Sequence, residues 1–377
     1  MSNQETTTVT LLPEGTEHFS SDVISEVDNP TIEPSPMKEF MSVEQIIEEL
    51  KIKDEYPLSF NETEIVLAKE FFYSHNYFSF SIYRKLLPRI EGKLYCFSDC
   101  VRLYNFNTFI RDNLSYFIRD IELMLRATLI EYVCKFYEMK QAEVSAHEIP
   151  ETLNDTLLFS HETGELYLDY GVYRHEKQKK IDDATEIMDK FTKTINESKS
   201  DAILHYKKKE SRIPLWVLLE EVTYGDVYHF AQALDTDFLH YWIDNAYDKG
   251  YRKFMLGWFR CINFLRNDCA HYNRLYGRYF NVSTPKLLKE DTKKAGIAAN
   301  DNDTLFAIML TIKNVLAFHV SALQEWDQFI DALSAEIGQH ADIVRLVKMG
   351  FPENWEECLH SQMYCDRKIV EDAMTKA

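Results

Sequence analysis

Residues 99–138 read DCVRLYNFNTFIRDNLSYFIRDIELMLRATLIEYVCKFYE and carry the longest hydrophobic periodicity in the chain. Apolar side chains recur at spacings of three and four residues, from Leu103 and Phe106 to Leu125 and Leu129. This spacing places them on one face of an α-helix, and no glycine or proline interrupts the run. The segment therefore predicts a long core helix, or two nearly collinear helices, in an all-α protein.

Shorter periodic segments on both sides predict further helices. An amphipathic helix is expected over 42–55 and another after Asn61. Two helices that meet at Gly225 are expected over 213–248, and one helix each over 251–275 and 303–336. The predicted organisation is a disordered acidic tail at 1–36, an N-terminal helical subdomain at 37–95, a helical domain at 96–336 with an insert at about 140–212, and a C-terminal helical tail at 337–377.

Composition narrows the class of protein. Hydrophobic residues make up 45% of the 377 residues, so core material is ample. The N-terminus lacks the basic and apolar regions of a secretory signal, and no apolar run reaches the ~20 residues of a membrane span. The 7 cysteines form no CxxC pair, which is typical of reduced thiols. A cytoplasmic, soluble protein is expected.

The negative charge is distributed unevenly along the chain. The formal net charge is −19, and residues 1–70 alone hold 16 acidic and 4 basic residues. Residues 251–294 instead hold 10 basic and 3 acidic residues. Because charges act locally, over a screening length of ~8 Å, this basic segment predicts a binding surface on an acidic protein.

The predicted helix 251–275 has two distinct faces. Its apolar face comprises Phe254, Trp258, Cys261 or Ile262, Leu265, Cys269 and Tyr272. Its other face, the basic stripe, comprises Arg260, Asn263, Asn267, His271, Arg274 and Arg278, with Arg266 beside it. The basic stripe contains cations, amides and one imidazole but no acid, which predicts an anionic ligand.

Arg266 and His271 form an R-x4-H pattern beside this stripe. A histidine side chain, with an ordinary pKa of ~6.5, exchanges protons at neutral pH, and an arginine stays charged and clamps phosphate. These groups suit RNA cleavage by the 2′-hydroxyl, in which Asn267 would orient the imidazole or the phosphate. We therefore predict Arg266, Asn267 and His271 as catalytic residues and the remaining stripe as RNA-binding, without a metal or other cofactor.

Two basic clusters occur in the insert, RHEKQKK at 174–180 and HYKKKESR at 205–212. A solvated surface is the commoner explanation for such runs. The alternative is contact with an RNA backbone, which assigns RNA binding to Lys207, Lys208 and Lys209.

The segment RNDCAHYNRL (266–275) closely resembles the signature of the Abi-like abortive-infection proteins of bacteria, the AbiD/AbiF group. Other segments resemble the same family over roughly residues 42–360. They are HNYFSFSIY (75–83), LYNFNTFIRDNLSYFIRDIELMLRATL (103–129), IPLWVLLEEVTYGDV (213–227) and MGFPENWEE (349–357). The chain departs from the family where Asn105 and Asn107 stand around its usual Asp, and where Ser79 and Phe80 replace its usual Arg-Leu.

The resemblance implies a HEPN fold, an all-α helical bundle built here from 99–138, 213–248, 251–276 and 303–336. It also implies metal-independent ribonuclease activity at the R-x4–6-H motif, phage defence by abortive infection, and in some members a partner non-coding RNA. In the HEPN class two motifs face each other. Among 15 arginines only Arg266 starts such a motif, so a homodimer is expected.

The sequence leaves two other functions open. The first is a non-catalytic RNA-binding scaffold that uses the basic stripe to hold a structured RNA. The second is a zinc module built on Cys358, His360 and Cys365, although their spacing is irregular and no fourth ligand is evident.

Overall fold

A computed structural model describes residue 37 and residues 39–146, 159–174, 178–209 and 211–362. From Val43 onward these residues form one compact unit. The predicted tail at 1–36 and Cys365 lie outside the described residues. Almost all regular structure is α-helical, so the predicted all-α class is confirmed. Within the described ranges, no helix combines the length and apolar character needed to cross a bilayer.

The helices follow one another with short connections. In the described residues they are α1 (Val43–Ile52), α2 (Glu62–Ser74), α3 (Tyr77–Phe80), α4 (Tyr83–Leu86), α5 (Phe97–Ala146), α6 (Gln178–Glu197), α7 (Asp201–Lys208), α8 (Leu215–Glu221), α9 (Tyr224–Ala233), α10 (Thr236–Ala246), α11 (Met255–Ala270), α12 (Lys289–Ala295), α13 (Leu305–Leu316), α14 (Val320–Gln339) and α15 (Trp355–Leu359). Two short parallel strands, β1 (Leu58–Ser59) and β2 (Tyr95–Cys96), pair beside them.

Helix α5 is the centre of the fold. It runs unbroken for 50 residues, so the predicted segment is one helix rather than two. The predicted periodic residues, including Leu103, Phe106, Leu125 and Leu129, are fully buried. Helices α10, α11 and α14 pack along it. Because α5 spans the molecule, residues far apart on it contact quite different parts of the chain.

Two predicted segments each contain one helix more than expected. The segment 213–248 forms α8, α9 and α10 rather than two helices, and the first break lies at Thr223, which begins α9 with a capping box shared with Asp226, rather than at Gly225. The segment 303–336 forms α13 and α14 rather than one helix. The His319 side chain there accepts a hydrogen bond from the Ala322 N–H and caps α14.

The predicted helix 251–275 is shorter at both ends. Its beginning is a 3₁₀ turn over Lys249–Tyr251, and α11 runs only from Met255 to Ala270. One face of α11 is buried through residues such as Trp258 and Leu265, and it packs against α5, α9 and α13. The C-terminal end of α11 therefore reaches the surface from a rigid position in the core.

The insert contributes α6 and α7. Helix α6 packs on α9, where Lys190 forms an ion pair with the buried carboxylate of Asp226. Helix α7 packs on α8 and ends at Lys208. For the basic cluster at 174–180, the side chains of all residues after Arg174 lie outside the described part of the chain.

Candidate active site

Helix α11 ends at the predicted motif. The last hydrogen bond of the helix between residues four apart runs from the His271 backbone N–H to the Asn267 carbonyl, at 3.0 Å. The next residue, Tyr272, has a φ of 56°, in the left-handed region that interrupts a right-handed helix. Residues 271–278 therefore form a loop, and the prediction that the helix continues through 275 was wrong.

This ending changes the basic stripe. Arg260, Asn263 and Asn267 lie on α11, and His271 caps its C-terminus. Arg274 and Arg278 lie in the loop, so the six residues do not form one continuous helical face. The stripe was predicted from a constant 100° rotation per residue, which fails where the backbone turns at Tyr272.

The predicted catalytic residues occur together at this helix end. Asn267 and His271 are exposed, and Arg266 is half-buried. Arg266 donates a long hydrogen bond of 3.5 Å to the Asn267 side-chain oxygen. Within the described ranges, no carboxylate forms an ion pair with Arg266, and the imidazole of His271 has no hydrogen-bond partner. Both groups are thus available to a ligand.

Arg278 has a different environment from Arg266. Its guanidinium is 2.7 Å from the carboxylate of Asp268, which also accepts a hydrogen bond of 2.8 Å from the Asn273 side chain. The predicted acid-free surface therefore has an acid beside it, because the loop folds back onto the last turn of α11. A phosphate bound by Arg278 would have to compete with Asp268.

Arg274 makes a contact within its own loop. It is half-buried, and it donates to the Tyr276 carbonyl next along the loop. Burial lowers the pKa of the Arg274 guanidinium from its ordinary value, and the charge of Arg278 lowers it further. These contacts indicate that Arg274 shapes the loop, and its predicted role in RNA binding remains a prediction.

The N-terminal half of the basic stripe holds an exposed arginine and an amide side chain that packs against the start of α9. Arg260 is exposed, with its guanidinium carbon 5.9 Å from the Phe264 ring centroid. Asn263 is half-buried and lies against Gly225 at the start of α9. Arg260 is thus the stripe residue on α11 best placed to meet a phosphate from solution.

The predicted RNA-binding lysines lie at the end of α7. Lys207 is half-buried and donates to the Asn196 carbonyl at 3.2 Å, while Lys208 and Lys209 are exposed. Helix α7 packs on α8, whereas α11 packs on α5, α9 and α13. The lysines therefore lie on a helix whose packing partners differ from those of the helix that carries the stripe.

Sequence reasoning missed Asn107 as a residue of this site. Asn107 is fully buried on α5, and its side-chain oxygen accepts hydrogen bonds from the backbone N–H groups of Leu275 (2.7 Å) and Tyr276 (2.9 Å). It thereby fixes the loop that follows His271. The signal was present, because Asn105 and Asn107 stand around the family's usual Asp, but it was interpreted as a departure from the pattern.

Arg111 lies one turn further along α5 and supports the same loop. Only 4% of the residue is exposed, and its guanidinium donates to the Tyr272 carbonyl at 3.4 Å. One turn later, Ser115 contacts Cys269 in the last turn of α11. Burial raises the pKa of the Cys269 thiol to about 11, although the hydrogen bond with Ser115 lowers it. Asn107, Arg111 and Ser115 therefore form a buried edge of α5 that positions the end of α11.

The predicted zinc residues have ordinary structural partners. His360 is 3.1 Å from the carboxylate of Asp331, and the Cys358 carbonyl accepts a hydrogen bond from Lys313. Across the described ranges, no group of three His, Cys, Asp or Glu side chains is arranged to hold a metal. Cys365 lies outside these ranges, so the zinc alternative stays a prediction.

The fold and the site define an all-α protein that presents an arginine and a histidine at the exposed end of a core helix. The family model described as Abi-like protein matches residues 70–277, which is more than half of the chain. The chain belongs to the Abi-like protein family, and this membership supports a role in abortive infection.

The matched range is narrower than the 42–360 expected from sequence. It contains Asn107, Arg111 and the whole R-x4-H motif, and it ends at Gly277, directly after the loop that Asn107 holds. No curated protein and no solved structure gave a significant match to the chain.

Proposed function

We propose that this Abi-like protein is an anti-phage effector of the HEPN type, a metal-independent endoribonuclease that acts on RNA in the cytoplasm. One observation carries the proposal. Arg266 and His271 lie together at the end of α11, and within the described ranges neither is engaged by a carboxylate. A cation and an imidazole without carboxylate partners suit the cleavage of a phosphodiester by its own 2′-hydroxyl.

The reaction assigns each group a role. The ribose 2′-oxygen attacks the adjacent phosphorus, its proton passes to a histidine, and the bond to the 5′-oxygen breaks as that oxygen takes up a proton. Arg266 stabilises the extra negative charge on the phosphorane, and Asn267 orients the phosphate or the imidazole. The products are a 2′,3′-cyclic phosphate and a 5′-hydroxyl end.

The test is RNA cleavage by purified protein in the presence of EDTA, with the ends of the products identified. We expect cleavage to survive the chelator and to leave 2′,3′-cyclic phosphates. His271→Ala should lower the rate by roughly 10²- to 10⁴-fold, the usual contribution of a general acid or base. His229→Ala is the matched control, because His229 is also exposed but lies on α9. Full activity in His271→Ala would remove His271 from the mechanism.

A homodimer is part of this proposal. The chain holds one R-x4-H motif, and one histidine cannot act as base and acid at the same moment. A two-fold axis near the end of α11 would bring two His271 side chains to opposite sides of one phosphorus. The positive charges would repel each other, so RNA would help the dimer to close.

Mixing wild-type chains with excess His271→Ala chains, in the presence of RNA, tests the shared site. Specific activity should fall as inactive chains enter mixed dimers, and the oligomer mass should be that of two chains. A fully active monomer, unaffected by the inactive chains, would contradict the shared site.

The scaffold is the other outcome of these tests. RNA recovered with the protein from its host and identified by sequencing would reveal a bound non-coding RNA. If wild-type and His271→Ala chains hold that RNA equally well and neither cleaves any RNA, the basic stripe binds RNA without catalysis.

A further inference from the structure

Tyr272 combines two features that are costly for a folded protein. Its φ of 56° lies in the left-handed region, a conformation that among the described non-glycine residues only Tyr56 shares. Its side chain was predicted to be part of the core, yet 78% of the residue is exposed. A bulky residue in this conformation is a genuine outlier. Strained residues of this kind cluster at functional sites, where the surrounding structure enforces them.

The surroundings of Tyr272 do enforce its position. Its N–H donates to the Cys269 carbonyl at 3.1 Å, and its carbonyl accepts from the buried Arg111. The Arg111 guanidinium carbon also lies 5.3 Å from the centroid of the Tyr272 ring. With Asn107 holding the amides further along the loop, the core of the protein fixes this exposed ring directly beside His271.

We propose that the Tyr272 ring is a stacking platform for an unpaired base next to the scissile phosphate, which makes single-stranded RNA the substrate of this site. The inference rests on the proposed function and deepens it. Every base has a π-face, so stacking tolerates any sequence, while a base within a duplex is already stacked and paired. A ring held by a buried arginine is ordered before RNA arrives, so little side-chain freedom is lost on binding.

Glycine and phenylalanine at position 272 separate the ring from the backbone. Glycine adopts a positive φ without strain, so Tyr272→Gly keeps the loop and removes only the ring. Tyr272→Phe keeps the ring and removes only the hydroxyl. Both substitutions are made in the His271→Ala chain, so that bound RNA is not cut.

The probe is a short single-stranded RNA that carries 2-aminopurine, whose fluorescence is quenched when the base stacks. We expect quenching by the His271→Ala parent and by its Tyr272→Phe variant. Tyr272→Gly should abolish the quenching and weaken binding roughly 5- to 150-fold, which corresponds to ~1–3 kcal/mol per stacked base. A fully paired duplex of the same sequence should bind the parent and Tyr272→Gly equally.

The outcomes that overturn the inference are distinct. RNA that binds the parent without quenching, and with the same affinity for Tyr272→Gly, refutes the platform and leaves the proposed function standing. A changed oligomer mass in Tyr272→Gly with unchanged RNA binding assigns the ring to a protein contact instead. A parent that binds no RNA at all refutes the proposed function, and the platform with it.

Discussion

Helix α5 carries two buried arginines that use the same device at two different places. Arg126 donates to the carbonyls of Leu219 (2.8 Å), in the last turn of α8, and of Val222 (2.9 Å), directly after it. Arg111 donates to the carbonyl of Tyr272, just beyond the end of α11. In both places a guanidinium satisfies main-chain oxygens where a helix ends.

The two places differ in what the arginine holds. Arg126 also pairs with Glu122 at 2.7 Å, and the residues it holds, Leu219 and Val222, are buried. Arg111 holds the exposed Tyr272, beside an imidazole that has no partner in the described part of the chain. A buried arginine is therefore not itself a mark of function. A functional site differs from a structural contact in the exposure of the held segment and in the unsatisfied polar groups beside it.

The largest expected effect is at the structural contact between Arg126 and the end of α8. Arg126→Met removes the partner of Glu122 and leaves two buried carbonyls unsatisfied, so we expect a loss of about 3–5 kcal/mol in the free energy of unfolding. Chemical denaturation measures it. Arg119→Met is the matched control, since Arg119 lies on the same helix with 60% of its side chain exposed, and it should change stability by less than ~1 kcal/mol. Equal losses of stability in the two variants would show that Arg126 does not stabilise the end of α8.

The next effect is at the functional end of α5. Asn107→Leu leaves the amides of Leu275 and Tyr276 without an acceptor, and we expect a loss of roughly 2 kcal/mol in stability. It should also reduce RNA cleavage, because the loop after His271 is no longer fixed. Asn107→Asp keeps an acceptor oxygen and lies one turn from the Arg111 cation. Asparagine also leaves its buried side-chain N–H group without a partner in the described part of the chain.

Denaturation and the RNase assay, run in parallel on both variants, check this expectation. Asn107→Asp should cleave RNA at close to the wild-type rate, and the exposed Asn105→Leu serves as the neighbouring control. Cleavage that is lost equally in Asn107→Leu and Asn107→Asp would show that the amide side chain has a role beyond accepting two hydrogen bonds.

The sequence predicts α5 well because the pattern that specifies this helix lies within the segment itself. The spacing of Leu103 to Leu129 specifies a helix without reference to the rest of the chain, and the structure extends that helix only from 99–138 to Phe97–Ala146. The end of α11 was mispredicted for the opposite reason. The left-handed backbone at Tyr272 depends on Asn107 and Arg111, which lie about 160 residues away in the chain.

The candidate site was predicted only in part for the same physical reason. The motif of Arg266 and His271 is a local pattern, and the structure brings both residues to one helix end. The pairing of Arg278 with Asp268 depends on a turn that a helical wheel does not include. The buried edge of α5 depends on tertiary packing, which one sequence reveals only through the resemblance of its segments to a family.

The smallest expected effect concerns the cations around the site. It separates an arginine without a carboxylate partner from one that is paired with a carboxylate. Arg260 is exposed and, in the described ranges, pairs with no carboxylate, whereas Arg278 is bound to Asp268 at 2.7 Å. A phosphate contact by Arg260 releases one counterion, so Arg260→Ala should weaken RNA binding several-fold and lower the slope of log affinity against log salt by about one unit. Arg278→Ala should change the slope less, because Arg278 must leave Asp268 before it can hold a phosphate.

Binding isotherms of a single-stranded RNA at several salt concentrations, all in the His271→Ala background, measure both slopes. Equal slopes for the two variants would mean that RNA displaces Asp268, and the distinction between the two arginines would fail.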